Sequence, residues 1–245
     1  MFWPDVKETR SFYAGRLGNA VARILRAHIE QMWPDAANER VLALGYPLPY
    51  LRRYTVDTET AAIIMPAAQG AVHWPASAPN RSVMAEEHLL PLADHSVDRV
   101  LLVHLLEHTP IPAEVMEEMW RILIPGGKIL VIVPHRRGLW AHTDATPFGQ
   151  GRPYSRGQLQ RLFTEKHFTL TQWRYGLYLP PAGIGAVYRF AQAWEAVGKL
   201  CFGMFGGVLL MEAEKQLFAA TPVRVSRKSR NVLLPATSRP ASCRE

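Results

Sequence analysis

Residues 135–154 gather the side chains best suited to holding a small polar molecule. Arg136, Arg137 and Arg152 carry guanidinium groups that can grip a carboxylate or phosphate through paired hydrogen bonds. His135 and His142 can take up or release a proton near neutral pH. Trp140, Phe148 and Tyr154 add aromatic surface, and interspersed glycines permit turns. About twenty residues without regular patterning is long for a compact domain, and such loops are functional or disordered. The aromatics argue for order. These residue types favour an anionic small ligand contacted by His135, Arg136, Arg137, Trp140, His142, Arg152 and Tyr154. The same charges have an internal use, because Asp144 can pair with one arginine and pin the loop.

A loop of this kind needs a rigid strand behind it. Val100–Val103 and Ile129–Val133 are short apolar runs bounded by polar or turn residues, the pattern of parallel strands covered on both faces. Between them, Pro112–Leu123 places Val115, Met116, Met119, Trp120 and Leu123 at helical spacing, with Glu114, Glu117, Glu118 and Arg121 free to face water. Pro125-Gly126-Gly127 ends the helix and turns the chain. The unit is strand–helix–strand, and the loop leaves the carboxyl end of its second strand, where open α/β sheets bind ligands.

The flanking sequence extends the frame. Glu8–Trp33 reads as one long amphipathic helix stopped by Pro34-Asp35. Val41–Leu44, residues 60–65 and Val83–Ala85 read as the first three strands, with Gly45 opening the turn after the first. Ser155 and Gln158 form a capping box for a helix carrying Leu159, Leu162 and Phe163. Phe168–Tyr175 predicts a sixth strand, residues 183–203 a partly apolar helix, and Gly207–Glu212 a seventh strand. Composition and pattern together support a doubly wound α/β sheet.

The order of motifs from Glu86 onward closely resembles class I S-adenosylmethionine (SAM) dependent methyltransferases of the small-molecule and quinone-biosynthesis branch. The matching residues are Glu86, Leu90-Pro91-Leu92, Ser96-Val97-Asp98-Arg99-Val100, Leu106-Glu107-His108 and Glu118 to Leu130. The resemblance implies a Rossmann-like, seven-stranded, mostly parallel sheet with helices on both faces and the last pair antiparallel. It implies SAM as cofactor and a small-molecule acceptor. By the family pattern the cofactor would touch Gly45 and Tyr46 after strand one, Gln69 after strand two, Glu86 and Glu87 after strand three, and His104 after strand four. Two departures stand out. The family's acidic, glycine-rich turn is here Ala43-Leu44-Gly45-Tyr46-Pro47-Leu48-Pro49-Tyr50, which keeps one glycine. The carboxylate that ends strand two is missing, and the neutral amide of Gln69 is the nearest substitute; Asp57 and Glu59 precede that strand. A nucleoside-sized hollow between Gly45 and Glu86 is therefore required, and Tyr46 or the two prolines could fill it. His104 has a second use as a satisfied core or helix-cap histidine, and Glu107 and His108 read as structural. Methyl transfer needs mainly alignment of donor and acceptor, so no obligatory nucleophile or metal is expected. The alternative is a catalytically inactive protein of this fold that serves as a binding or regulatory partner.

With 245 residues, 48% hydrophobic and 20% charged, the chain suits one globular α/β domain. The expected divisions are a helical N-terminal cap over 1–35, the methyltransferase-like domain over 36–221 and a flexible basic tail over 222–245. The net charge of +7 points to nucleic acid only until it is mapped. Arg224, Arg227, Lys228, Arg230, Arg239 and Arg244 crowd the tail, where weak contact with RNA, anionic lipid or an acidic protein is an alternative to plain solvation. Val232-Leu233-Leu234 could dock on the body or on a protein partner. The start of the chain lacks a secretory signal, and the apolar run Leu200–Met211 is short of the roughly twenty residues that span a bilayer. Cys201 and Cys243 match no metal spacing and suit a reducing, cytoplasmic setting. A dinucleotide dehydrogenase would need a glycine-rich phosphate turn that this chain lacks.

Overall fold

Strand patterning and short apolar runs resolve into a single sheet. The computed structural model describes residues 3–51, 53–55, 58, 60–181 and 190–216, without the side chains of Thr55 and Gln192. The expectations for Asp57, Glu59, residues 183–189 and the tail lie outside these described residues. Strands β1 (Arg40–Gly45), β2 (Thr60–Pro66), β3 (Ser82–Ala85), β4 (Val97–Val103), β5 (Leu123–Pro134), β6 (Thr169–Gly176) and β7 (Val208–Glu214) take the order β3-β2-β1-β4-β5-β7-β6. Neighbours from β3 through β5 pair parallel, and β7 runs antiparallel between β5 and β6.

The period-two alternation of each strand splits the core in two. Val41, Ala43, Ile63, Leu101, Val103, Leu130 and Ile132 meet Val21, Ile24, Leu25 and Ile29 of helix α2 (Arg16–Met32) on one face. Leu42, Leu44, Val100, Leu102, Ile129 and Val131 meet Val115, Met116 and Met119 of α3 (Pro112–Ile122), and Leu159 and Phe163 of α4 (Arg156–Glu165), on the other. The expected α/β architecture with helices on both faces is present. Ser155 makes both bonds of the predicted capping box with Gln158.

Two local expectations are corrected. The single helix over 8–33 is two, α1 (Val6–Ala14) and α2, because Gly15 is extended at φ −75°, ψ 167°. Helix α1 then folds back on α2 across Gly18, where a Cβ would lie 2.1 Å from the Phe12 carbonyl oxygen. The Pro125-Gly126-Gly127 turn lies inside β5, which begins directly after α3 at Leu123 and shifts register against β4 between Val97 and Arg99. Gly126 and Gly127 exchange backbone hydrogen bonds with Lys215, so the glycines are tied down as strand.

Among the described residues, the connections beside β2 carry no α-helix. Only short 3₁₀ turns at Leu48–Tyr50 and Arg53–Thr55 follow β1, where Pro47 and Pro49 remove backbone donors that a helix would use. Helix α5 (Ala191–Phe202) precedes β7 and is fastened by Glu195, which accepts from the backbone N–H groups of Leu177 and Tyr178. No described helix is long and apolar enough to cross a membrane.

Candidate active site

The carboxyl ends of β1, β2 and β4 define the site, and Gly45 sets their spacing. Its φ is +86°, and a Cβ there would stand 2.1 Å from the Val103 carbonyl oxygen of β4. A side chain at 45 would therefore wedge the two strands apart. The glycine thus serves the packing of the sheet.

Beyond Gly45, rings fill the space. Tyr46 is buried and stacks on Tyr13 of α1, with centroids 5.6 Å apart and planes 10° from parallel. Burial pushes the Tyr46 hydroxyl up to about 12. Tyr50 meets Tyr13 edge-on, and Phe148 lies 4.6 Å from the His104 ring. The Gly45 end of the required hollow is thus occupied, but the occupying side chain that matters most, Tyr13, comes from the N-terminal helix and not from the turn.

His104 is fully buried, with a φ of +54° that is strained for a side-chain-bearing residue. Its Nδ1 lies 3.1 Å from Glu107 Oε1 and its Nε2 lies 2.8 Å from the Tyr13 hydroxyl, which is 2.7 Å from that of Tyr50. With Glu107 as a carboxylate, Nδ1–H donates to it, Nε2 accepts from Tyr13 O–H, and Tyr13 accepts from Tyr50. Burial, reinforced by Tyr50, holds the Tyr13 phenol well above its ordinary range, so it remains a donor. Glu107 is 1% exposed, and its Oε2 has no hydrogen-bond partner. His104, Glu107 and His108 each offer a buried ligand atom within 4.8 Å of the others, and His104 and Glu107 also hydrogen-bond one another through Nδ1 and Oε1.

The N-terminal segment is a strap over this edge. Trp3 lies 5.7 Å from the His108 ring after β4, Val6 N–H donates to Gln69 O after β2, and Tyr13 reaches His104. A cleft of about 410 Å³ runs between the strap and the β5 loop, lined by Pro4, Glu8, Asp144, Gly149 and Gln150.

The other expected cofactor contacts divide. Gln69 is 3% exposed and neither atom of its amide has a partner. A buried amide left unsatisfied costs about 1–3 kcal/mol. Glu86 is exposed just past β3. Glu87 is buried and accepts from Thr109 Oγ1 at 2.9 Å, a structural engagement.

The β5 loop is ordered as its aromatics suggested. A bridge between His135 and Tyr154 closes it. Trp140 is buried and donates to the Leu179 carbonyl, and Tyr154 donates to the Leu106 carbonyl. His135 is buried against Tyr175 and within 3.1 Å of Gly206 O; burial lowers its basicity despite that bond. These three hold the loop. Arg136, Arg137, His142 and Arg152 are exposed, and Asp144 forms no ion pair among the described residues. The loop is pinned by rings and backbone bonds, not by the Asp144–arginine pair.

Sequence reasoning missed Tyr13, Tyr50 and Phe148. Phe148 stood only as an aromatic in a loop, and Tyr13 is one ring in an amphipathic helix; nothing local announces that both converge on His104.

A family model for the methyltransferase domain matches residues 44–131, from the end of β1 into β5. An uncharacterized methyltransferase of Mycobacteroides abscessus is 31% identical over 103 residues, covering 42% of this chain; the chain spans 39% of that relative's length. A solved SAM-dependent methyltransferase of Thermotoga maritima superposes with a TM-score of 0.63 at 14% identity, covering 86% of this chain and 96% of that one. A Haloferax volcanii complex with the Trm112 methyltransferase activator gives 0.62 at 20% identity, covering 87% and 99%. The sheet order and these likenesses define a class I methyltransferase fold. The matched segment lies across the β1-to-β5 core, and over that part the chain is similar to the methyltransferase domain.

Proposed function

We propose that the protein transfers a methyl group from SAM to a small acceptor. The observation that carries this reading is the unpartnered, buried amide of Gln69 in the turn after β2, one strand from Gly45, with the exposed Glu86 following the neighbouring strand β3. In this sheet order that edge is where the family's nucleoside lies, so Gln69 would meet the ribose hydroxyls and Glu86 the adenine amino group. The nucleoside end fits the residues present. The Gly45 end requires the strap to lift Tyr13 away from Tyr46 and His104. Bound SAM would supply a methyl group on a positively charged sulfur. The chain's residues would align the acceptor, exclude water and manage its proton. Arg136, Arg137 and Arg152, all exposed on the β5 loop, favour an acceptor that carries an anionic group.

Calorimetric titration with SAM and with S-adenosylhomocysteine tests the reading. Binding near micromolar is expected, weakened about tenfold by Glu86→Ala, the equivalent of one hydrogen bond. Silence toward both ligands in folded protein would overturn it.

A further inference from the structure

We propose that helix α5 and the turn after it form a membrane-docking surface, which seats the protein on the headgroup and acyl boundary of an anionic lipid bilayer. The proposal goes beyond methyl transfer and does not depend on it. Three observations lead to it.

The first is where the apolar side chains lie. Phe190 at the helix N-cap, Trp194 and Val197 recur at i, i+4 and i+7, and all three are exposed. Leu200, 87% exposed, and Phe202, Met204 and Phe205 carry the patch through the turn. Among the described residues of α5 only Ala191 and Gly198 are buried, whereas α2 buries a full face. Polar bonds hold the helix in this attitude. Glu195 accepts from the Leu177 and Tyr178 N–H groups, Trp194 Nε1 donates to Tyr178 O, and the Tyr178 hydroxyl donates to Gly203 O. A contiguous exposed apolar patch marks a protein or membrane contact, and the charges around it choose between them.

Those charges are the second observation. Glu195 is the sole acid of α5, and it is engaged by the two backbone groups and by His28. Lys199 and, across a cleft of about 290 Å³, Arg23 of α2 are exposed and enter no ion pair among the described residues. The chain carries a net charge of +7, and six basic residues lie between 222 and 245, beyond β7. Anionic headgroups complement this sign, each nearby cation adding about fivefold in affinity. Aromatic and aliphatic side chains on one face with lysine beside them suit a helix lying in the interface, while protein interfaces are depleted in lysine. The third observation is position. His135 N–H donates to Gly207 O and His135 Nδ1 lies 3.1 Å from Gly206 O, so the patch is joined to the β5 loop at the carboxyl edge of the sheet. Seating the patch brings that edge to the bilayer surface.

Cosedimentation of the full chain with vesicles of pure phosphatidylcholine, and of an equimolar mixture with phosphatidylglycerol, tests the proposal. Tighter binding to the anionic vesicles is expected, and salt should reduce it. Leu200→Ser and Phe202→Ser should each weaken it about tenfold at an unchanged melting temperature, because both side chains are exposed. Leu89→Ser, an equally exposed apolar position past β3 at the far edge of the sheet, should leave binding unchanged. Lys199→Gln should cost about fivefold on anionic vesicles and leave binding to neutral ones as it was. A nitroxide on the exposed Cys201, in Cys243→Ser, should lose collisions with a water-soluble nickel chelate and gain them with oxygen when anionic vesicles are added. No association with anionic vesicles by folded protein would overturn the proposal. So would full binding by the combined Leu200→Ser, Phe202→Ser variant, which would assign the contact to the basic tail. A dimer in sedimentation equilibrium that Leu200→Ser dissociates would also overturn it and give this face to a second copy.

Discussion

Two single residues at the strand ends carry opposite burdens. Gly45 supports the fold: its positive φ and its approach to Val103 mean that Gly45→Ala pushes β1 off β4. The backbone strain alone is about 1–3 kcal/mol, and thermal unfolding should show a lower melting temperature before any ligand is considered. Gln69 is the reverse. Its buried amide has no partner, so Gln69→Leu should leave the melting temperature unchanged or raise it, while calorimetry shows weaker S-adenosylhomocysteine binding. A fall in both would mean that the amide serves the apo fold. Neither property was visible in the chain, because a glycine after a strand and a glutamine in a loop look ordinary until the facing carbonyl and the absent partner are seen.

Among the elements, the strap and the β5 loop decide access. Helix α1 is held against α2 by the close approach at Gly18, so Gly18→Val should loosen residues 3–14. Hydrogen exchange is expected to rise through that segment while α3 and α4 stay protected. Most elements were legible: strand periodicity, the capping box at Ser155 and the α3 pattern all matched the fold. Less legible was everything set by backbone conformation between them. The sequence pattern carries α1 and α2 through as one apolar stripe, and only the extended Gly15 separates them. The β5 loop showed the right residue types, but their inward and outward division could not be read, since a histidine and a tryptophan can serve packing or ligand equally well. His135 and Trp140 turned inward; Arg136, Arg137 and Arg152 stayed out.

For the whole molecule, ion pairs within the sheet and within α3 set its acid limit. Arg40 holds Asp98 through side-chain and backbone bonds and lowers its carboxyl below the ordinary range. For Glu118, partial burial pushes upward, but Arg121 and the Leu90 N–H outweigh it and the net shift is downward. Burial lowers His135 as well. In each case the unfolded chain binds protons at a higher pH than the folded chain does. Stability therefore falls as pH drops, first through the range just below the ordinary histidine value of about 6.5, then through that of carboxylates near 4. Melting temperatures measured from pH 7 to pH 3 should decline monotonically, with a shallower lower limb in Asp98→Asn.

Because the Tyr13 phenol hangs from an anchored helix, swinging it aside does not remove it from the neighbourhood. It remains a tethered competitor whose local concentration is on the order of millimolar. Any ligand of that space must displace a resident that never diffuses away, so weakly held compounds enter only at concentrations that exceed this local one. Selectivity would then be set by a threshold built into the chain as much as by the shape of the hollow.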